Sequence, residues 1–289
     1  MTNNQRKLTQ VEQQLVDDAL KSLLYEVVVL PKPGLVDPVS SGPHPDMDVF
    51  TFIDSAISLR TYFENCAVTG TNFSGYDLTN LFQEIRLFGI KAEKTMFAAT
   101  NNANTHKGAI FSLGIFVTGK AYCVSHPGDI FEIIQRMLTG LTKNDFKGLE
   151  DKPESQLTAG EKEYLKYGSK GIRGEAEAGF PTVQNIGLPA LKKFSGNKND
   201  RLLNTLLIIA EHSFDSNLVK RAGSKTIIPW VQKQIGHYFE LGARTTLEGR
   251  KFLDQLNQEF LARNLSLGGS ADLLILTIFM GLQNGILKG

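Results

Sequence analysis

Four short segments concentrate residues able to bind charge and move protons: KPGLVDPVSSGPHPDMD (32–48), NTHKGAIF (104–111), RGEAEAGFPT (173–182) and LSLGGSADLL (265–274). Each combines glycine with charged or hydrogen-bonding residues and borders a helix-like apolar stretch. Glycine lets a backbone approach a ligand closely, and Lys, His, Arg, Asp and Glu supply charge and proton transfer. Such segments, spread over most of the chain, point to one site assembled from many helix ends. An enzyme acting on a phosphorylated compound fits that pattern.

In the first segment Lys32, Asp37, His44, Asp46 and Asp48 are stiffened by interleaved prolines. Asp46 and Asp48 have the spacing of an acidic pair suited to a hard cation such as Mg²⁺, and Asp48 equally suits a helix cap. Glu26, one turn upstream on an otherwise apolar stretch, needs a metal ion or a lysine as partner if buried. Asn104, Thr105, His106 and Lys107 open an apolar helix whose free N–H groups and positive dipole end suit phosphate. Arg173 offers a bidentate phosphate contact, while Glu175 and Glu177 offer metal ligation or proton acceptance. On a helix those two glutamates diverge by about 200°, so only one faces the site; on an extended chain they point the same way. Asp215, Asn217, Lys220 and Arg221 fall within one or two turns. Gly268, Gly269 and Ser270 precede a strongly apolar helix and read as a second anion-binding N-terminus. Asp272 falls in that helix's first turn, where dipole stabilisation competes with metal binding. His126, His212 and His237 join no such cluster and read as structural.

Helical periodicity must position these groups. Val11, Leu15, Ala19, Leu23 and Val27 recur every four residues behind a Thr9–Glu12 capping box, and Pro31 and Pro33 end that helix. Asp48 caps the next, which reads as continuous to about Cys66, and Asp77 a third along Leu81, Ile85, Phe88 and Ala92. Apolar helices follow at 108–124 and 130–141, then about 200–212, 227–241, 246–263 and 271–287. The segment 142–160 is poor in apolar residues and reads as a mobile connection or lid, followed by a Thr158–Glu161 capping box. β-alternation is scarce and no internal repeat is found. The expected fold is all-α: a compact multi-helix domain over 1–289 with its site built from helix ends and Gly-rich loops.

The chain has 289 residues, enough for a sizeable core, with 42% hydrophobic and 21% charged residues as in soluble globular proteins. A formal net charge of +1 gives no reason to expect nucleic-acid binding. The polar start MTNNQRKLTQ lacks a signal-peptide core, and apolar runs near 109–118 and 273–282 fall short of the roughly 20 residues of a membrane span. No membrane association is expected, and the expected compartment is cytoplasmic. Cys66 and Cys123, the only cysteines, read as small core residues rather than a disulfide or metal pair. Zinc-ligand spacing, a nucleophile elbow, a Walker A loop and a Rossmann fingerprint are all missing.

The strings PKPGLVD, SGPHPDMD, NTHKGAIFSLG, RGEAEAGFP and GGSADLL resemble the triphosphoribosyl-dephospho-coenzyme A synthase family, from about Leu23 to Leu274. Mild departures are Ser216 and Ala222, where relatives show DTN and RGG, and Leu267 where they often have proline. The resemblance implies transfer of the triphosphoribosyl part of ATP to dephospho-coenzyme A with release of adenine. The product is a prosthetic-group precursor for the acyl carrier protein of citrate lyase or, in a close branch, malonate decarboxylase. A glycosyl transfer of this kind passes through an oxocarbenium-like transition state. On this reading Asp37, Glu175 and Asp215 are candidates for base or oxocarbenium stabiliser. Lys32, His106, Lys107, Arg173, Lys220 and Arg221 are candidates for phosphate, with Mg²⁺ the expected cofactor held by some of Glu26, Asp46, Asp48, Glu177 and Asp272. The rivals are a Mg²⁺-dependent helical hydrolase of N-glycosidic or phosphate bonds and a helical nucleotide-binding regulator without turnover.

Overall fold

The Thr9 hydroxyl accepts from Glu12 N while the Glu12 carboxylate accepts from Thr9 N, so the first capping box forms as its spacing predicts. It opens helix α1, Gln10–Val28. A computed structural model of the chain describes residues 6–288, without the side chains of Ala159 and Glu163. The first five residues of the polar N-terminus lie outside the described residues. Then follow α2 (Val49–Ser58), α3 (Arg60–Asn72), α4 (Leu78–Ala99), α5 (Lys107–Ser125), α6 (Ile130–Met137), α7 (Leu141–Asp145) and α8 (Ala159–Tyr167). The second half holds α9 (Gly171–Glu177), α10 (Leu188–Lys193), α11 (Lys198–His212), α12 (Ser216–Ala222), α13 (Ile227–Glu240), α14 (Leu247–Ala262) and α15 (Gly268–Gln283). No strand occurs among the described residues, whose one extended pairing is the Asp37–Ser40 bridge. The fold is all-α.

Helices α5 and α15 are apolar on nearly every face and lie inside, as such helices must. α1, α3, α4, α6 and α15 pack on α5, and α15 also touches α1, α10, α11 and α12. Helices α3 and α5 approach closely: a Cβ on Gly70 would lie 2.3 Å from the Thr118 carbonyl oxygen. One connected apolar core runs from Leu15 to Leu287. By length and composition α5 alone among the described helices is able to cross a membrane, but 67% of its apolar window is buried inside this core.

Three boundaries differ from the sequence expectation. The helix foreseen from Asp48 to Cys66 breaks at fully buried Leu59 into α2 and α3. The 130–141 helix stops at Leu138, because Gly140 turns the chain with φ +79°. Most consequentially, α15 begins at Gly268 rather than near Ala271, so Gly268, Gly269 and Ser270 form its first turn. Segment 142–160 contains the rest of α7 and two 3₁₀ turns, with Leu149 buried.

Candidate active site

The N-terminal ends of α5, α12 and α15 converge with the 32–47 loop around two adjacent cavities that share part of their walls. The inner one, about 100 Å³, is walled by Glu26, Lys32, His44, Phe52 and His106 among others. The outer cleft, about 630 Å³, is walled by Lys107, Gly108, Glu175, Thr182, Lys220 and Gly269 among others. Asn104, Thr105, Asn217, Gly268 and Asp272 line both.

Behind the inner cavity, the fully buried Lys32 ammonium lies 2.6 Å from Glu26 Oε1 and donates to the Glu26 carbonyl at 2.7 Å. Glu26 thus has the lysine as a counter-charge. Burial lowers the Lys32 pKa, and the Glu26 charge opposes that shift. Asp272 stands opposite, its carboxylate without a hydrogen bond among the described residues. Burial, then the charges of Glu26 and Asp215, push its pKa up to about 8. A Cβ on Gly108 would lie 2.0 Å from Asp272 Oδ2. The glycine of NTHKG is therefore what lets the start of α5 sit against this carboxyl group.

His106 is the N-cap residue of α5 and is buried. Thr105 Oγ1 donates to Ser55 Oγ at 2.7 Å, and Ser55 Oγ is 2.7 Å from His106 Nδ1. The arrangement that spends every proton has Ser55 donating to Nδ1, which leaves the hydrogen on Nε2. Nε2 is buried without a partner among the described residues, and the histidine itself lines the inner cavity. Burial and then Lys32 hold the His106 pKa down to about 3, so the ring presents a neutral N–H donor.

Other carboxylates of the sequence reading are occupied by backbone donors. Asp37 accepts from Lys32 N, Val39 N and Ser40 N and shapes the loop. Asp215 accepts from Leu218 N, Gly269 N, Ser270 N and Ser270 Oγ. It caps α12 and is itself the anion bound at the N-terminus of α15, where phosphate was expected. Burial raises the Asp215 pKa, and those N–H donors pull it back. α9 is helical, and its glutamates diverge as geometry requires. Glu175 faces the outer cleft, accepting from Thr182 N at 2.7 Å with its pKa raised by burial. Glu177 points away and accepts from Thr142 N and Thr142 Oγ1.

Of the cations, half-exposed Lys107 sits 3.1 Å from Glu93, and exposed Lys220 has no ion pair among the described residues; both line the outer cleft. Arg221 instead straps two loops together through Pro43 O, Asn264 and His44 Nδ1. Arginine only donates, so His44 Nδ1 accepts and its Nε2–H reaches Ser266 Oγ at 3.2 Å. Arg173 pairs with Asp145 and faces a different pocket. Asp46 and Asp48 are exposed, Asp48 serving as the cap of α2, and neither lines the two cavities. Sequence reasoning missed Ser55 and Ser266: a single hydroxyl in a helix or loop has no spacing signal.

The residues 12–288 match the family described as CitG, ATP:dephospho-CoA triphosphoribosyl transferase. The chain is 57% identical over 274 residues to a probable 2-(5''-triphosphoribosyl)-3'-dephosphocoenzyme-A synthase of Lactiplantibacillus plantarum, covering 94% of this chain and 98% of that one. It is 50% identical to protein CitXG of Leuconostoc mesenteroides subsp. cremoris over 93% of this chain, which spans 59% of that longer protein. A probable synthase of the same name from Streptococcus equi subsp. zooepidemicus is 36% identical, covering 90% and 93% of the two chains. No solved structure matches. The chain belongs to the ATP:dephospho-CoA triphosphoribosyl transferase family.

Proposed function

We propose that this chain joins the triphosphoribosyl group of ATP to the 2′-hydroxyl of dephospho-coenzyme A and releases adenine. The observation that carries the reading, beside the family match, is the pair of adjacent cavities with shared walls. In them a helix N-terminus, two cations, an acceptor carboxylate and an unspent N–H donor meet. The start of α5, Lys107 and Lys220 suit the triphosphate. Glu175 is the base or oxocarbenium stabiliser this geometry favours, because Asp37 and Asp215 already accept three and four hydrogen bonds. The His106 Nε2–H is suited to hydrogen-bond an acceptor nitrogen or oxygen of the nucleotide.

Mg²⁺ belongs to the proposal through Asp272. No group of three or more potential ligands stands ready among the described residues. That fits an ion held by one or two carboxylates and the substrate's phosphates, and Asp272 is the cavity carboxylate left without a partner. The bound ion would neutralise triphosphate charge. The absence of an indicated covalent nucleophile favours a single displacement, which converts the β-linked base into an α linkage. The product would serve the acyl carrier protein of citrate lyase, with ATP and dephospho-coenzyme A drawn from the cytoplasm.

The test is a reaction containing ATP, Mg²⁺ and dephospho-coenzyme A, resolved by chromatography, mass analysis and NMR. Adenine should appear one-for-one with an α-linked conjugate. ADP would identify a kinase, ribose triphosphate without conjugate a hydrolase, and a β linkage would reject the single displacement.

A further inference from the structure

A third pocket, about 180 Å³, lies beside the outer cleft and takes no part in the function proposed above. Phe82, Arg86, Gly89, Ile90 and Glu93 form one wall of it from a single face of α4, at helical spacing. Arg173 from α9 and Phe111 from α5 form the other. Asp145, whose side chain is 8% exposed, takes Arg86 at 3.0 Å on one oxygen and Arg173 on the other. The guanidinium carbons lie 5.9 Å from the Phe82 ring centre and 5.3 Å from that of Phe111, and the two rings pack edge to face.

Two guanidiniums are thus fixed by one buried carboxylate and two aromatic faces. One positive charge remains uncompensated, because Glu93 is matched by Lys107. Each guanidinium carries five N–H donors, of which Asp145 uses one. The remaining donors, rigidly presented, match phosphate geometry. Two links tie the pocket to the cleft. Glu93 lines the pocket and pairs at 3.1 Å with Lys107, which lines the cleft. Helix α9 points Arg173 into the pocket and Glu175 into the cleft.

We infer that Arg86 and Arg173 bind the diphosphate of the acceptor nucleotide, dephospho-coenzyme A, apart from the groups that hold ATP. The inference rests on the proposed transfer, which requires two anionic nucleotides side by side. The acceptor's attacking hydroxyl and its diphosphate are only a few bonds apart. Helix α9 carries both Arg173 and Glu175, so the same short helix would meet the diphosphate on one side and the attacking hydroxyl on the other. The neighbouring basic pocket around Lys162 and Lys166 is the competing location, but its lysines are exposed and lack a buried anchor.

The experiment measures dephospho-coenzyme A binding by calorimetry without ATP, alongside steady-state kinetics, for Arg86→Gln, Arg173→Gln and Lys166→Gln. Arg173→Lys, which can keep a charge on Asp145, guards against loss of folding. Each arginine-to-glutamine change should weaken acceptor binding by about tenfold or more, equivalent to about 1.4 kcal/mol, and leave the Michaelis constant for ATP within about threefold. Arg173→Lys should fall between wild type and Arg173→Gln, and Lys166→Gln should match wild type. Unchanged acceptor affinity, a loss confined to ATP, or a loss on Lys166→Gln overturns the assignment. Wild-type protein that binds dephospho-coenzyme A without turnover would overturn the proposed reaction instead, and the binding comparison would still judge the arginines.

Discussion

Replacing Lys32 by methionine isolates the electrostatics behind the cavity. Lys32 is wholly buried, and its ammonium lies 2.6 Å from Glu26 Oε1. The Glu26 carbonyl keeps the Val29 N–H at 3.3 Å in the variant, so the principal loss is the counter-charge. Glu26 is then left buried and unpaired near Asp272, the situation that costs about 3–5 kcal/mol when one partner of a buried pair is removed. One kcal/mol moves the melting temperature by about 2–4 °C in large single domains, so a fall of about 6–20 °C is expected. Salt should change this little, because screening acts weakly on buried pairs. The double variant Glu26→Gln, Lys32→Met removes both charges and should recover about half or more of the loss. Thermal and urea unfolding of wild type, Lys32→Met, Glu26→Gln and the double variant, in the presence of a chelator, give the coupling energy directly. A Lys32→Met cost below about 1 kcal/mol, or a double variant no better than the single, would refute the reasoning.

Three further outcomes follow from the site. Folded His106 refuses a proton until about pH 3, whereas the unfolded residue takes one near 6.5, so stability is lost as pH falls through that window. Urea unfolding at about pH 4.5 and 7 should show a smaller acid loss for His106→Gln than for wild type. Glu175→Gln should lower kcat by about a hundredfold or more with little change in the Michaelis constant for ATP, measured by adenine release. Because burial raises the Glu175 pKa, the wild-type rate should begin to fall with acid above the ordinary carboxylate range. Exhaustive chelation should abolish turnover and added Mg²⁺ restore it; full activity in excess EDTA would remove the metal from the proposal.

The legible parts of the fold were those where local chemistry decides. Capping boxes at Thr9 and Thr158 and caps at Asp48 and Asp77 need only neighbours in sequence, and all form. The break at Leu59 has no local signal, since nothing between Asp48 and Cys66 opposes a continuous helix except the packing of α2 and α3 onto other elements. The early start of α15 is long-range too: Asp215, more than fifty residues away, supplies the acceptor that lets Gly269 and Ser270 join the helix.

The same distinction governs the site. Residue types announced that carboxylates and cations would gather around helix ends, and the cleft brings Glu175, Asp272, Lys107 and Lys220 together. What a carboxylate can do depends on how many donors the fold points at it, and that is set in three dimensions. Asp37, Asp215 and Asp272 are alike in sequence to the extent that each has an apolar residue directly beside it. Three N–H groups hold Asp37 and four donors hold Asp215, while Asp272 has none and is raised to about 8. A carboxylate saturated by the backbone positions a loop or a helix end. One denied donors and pressed by like charges has the most to gain from a cation or a proton, so substrate and ion should meet the protein at Asp272.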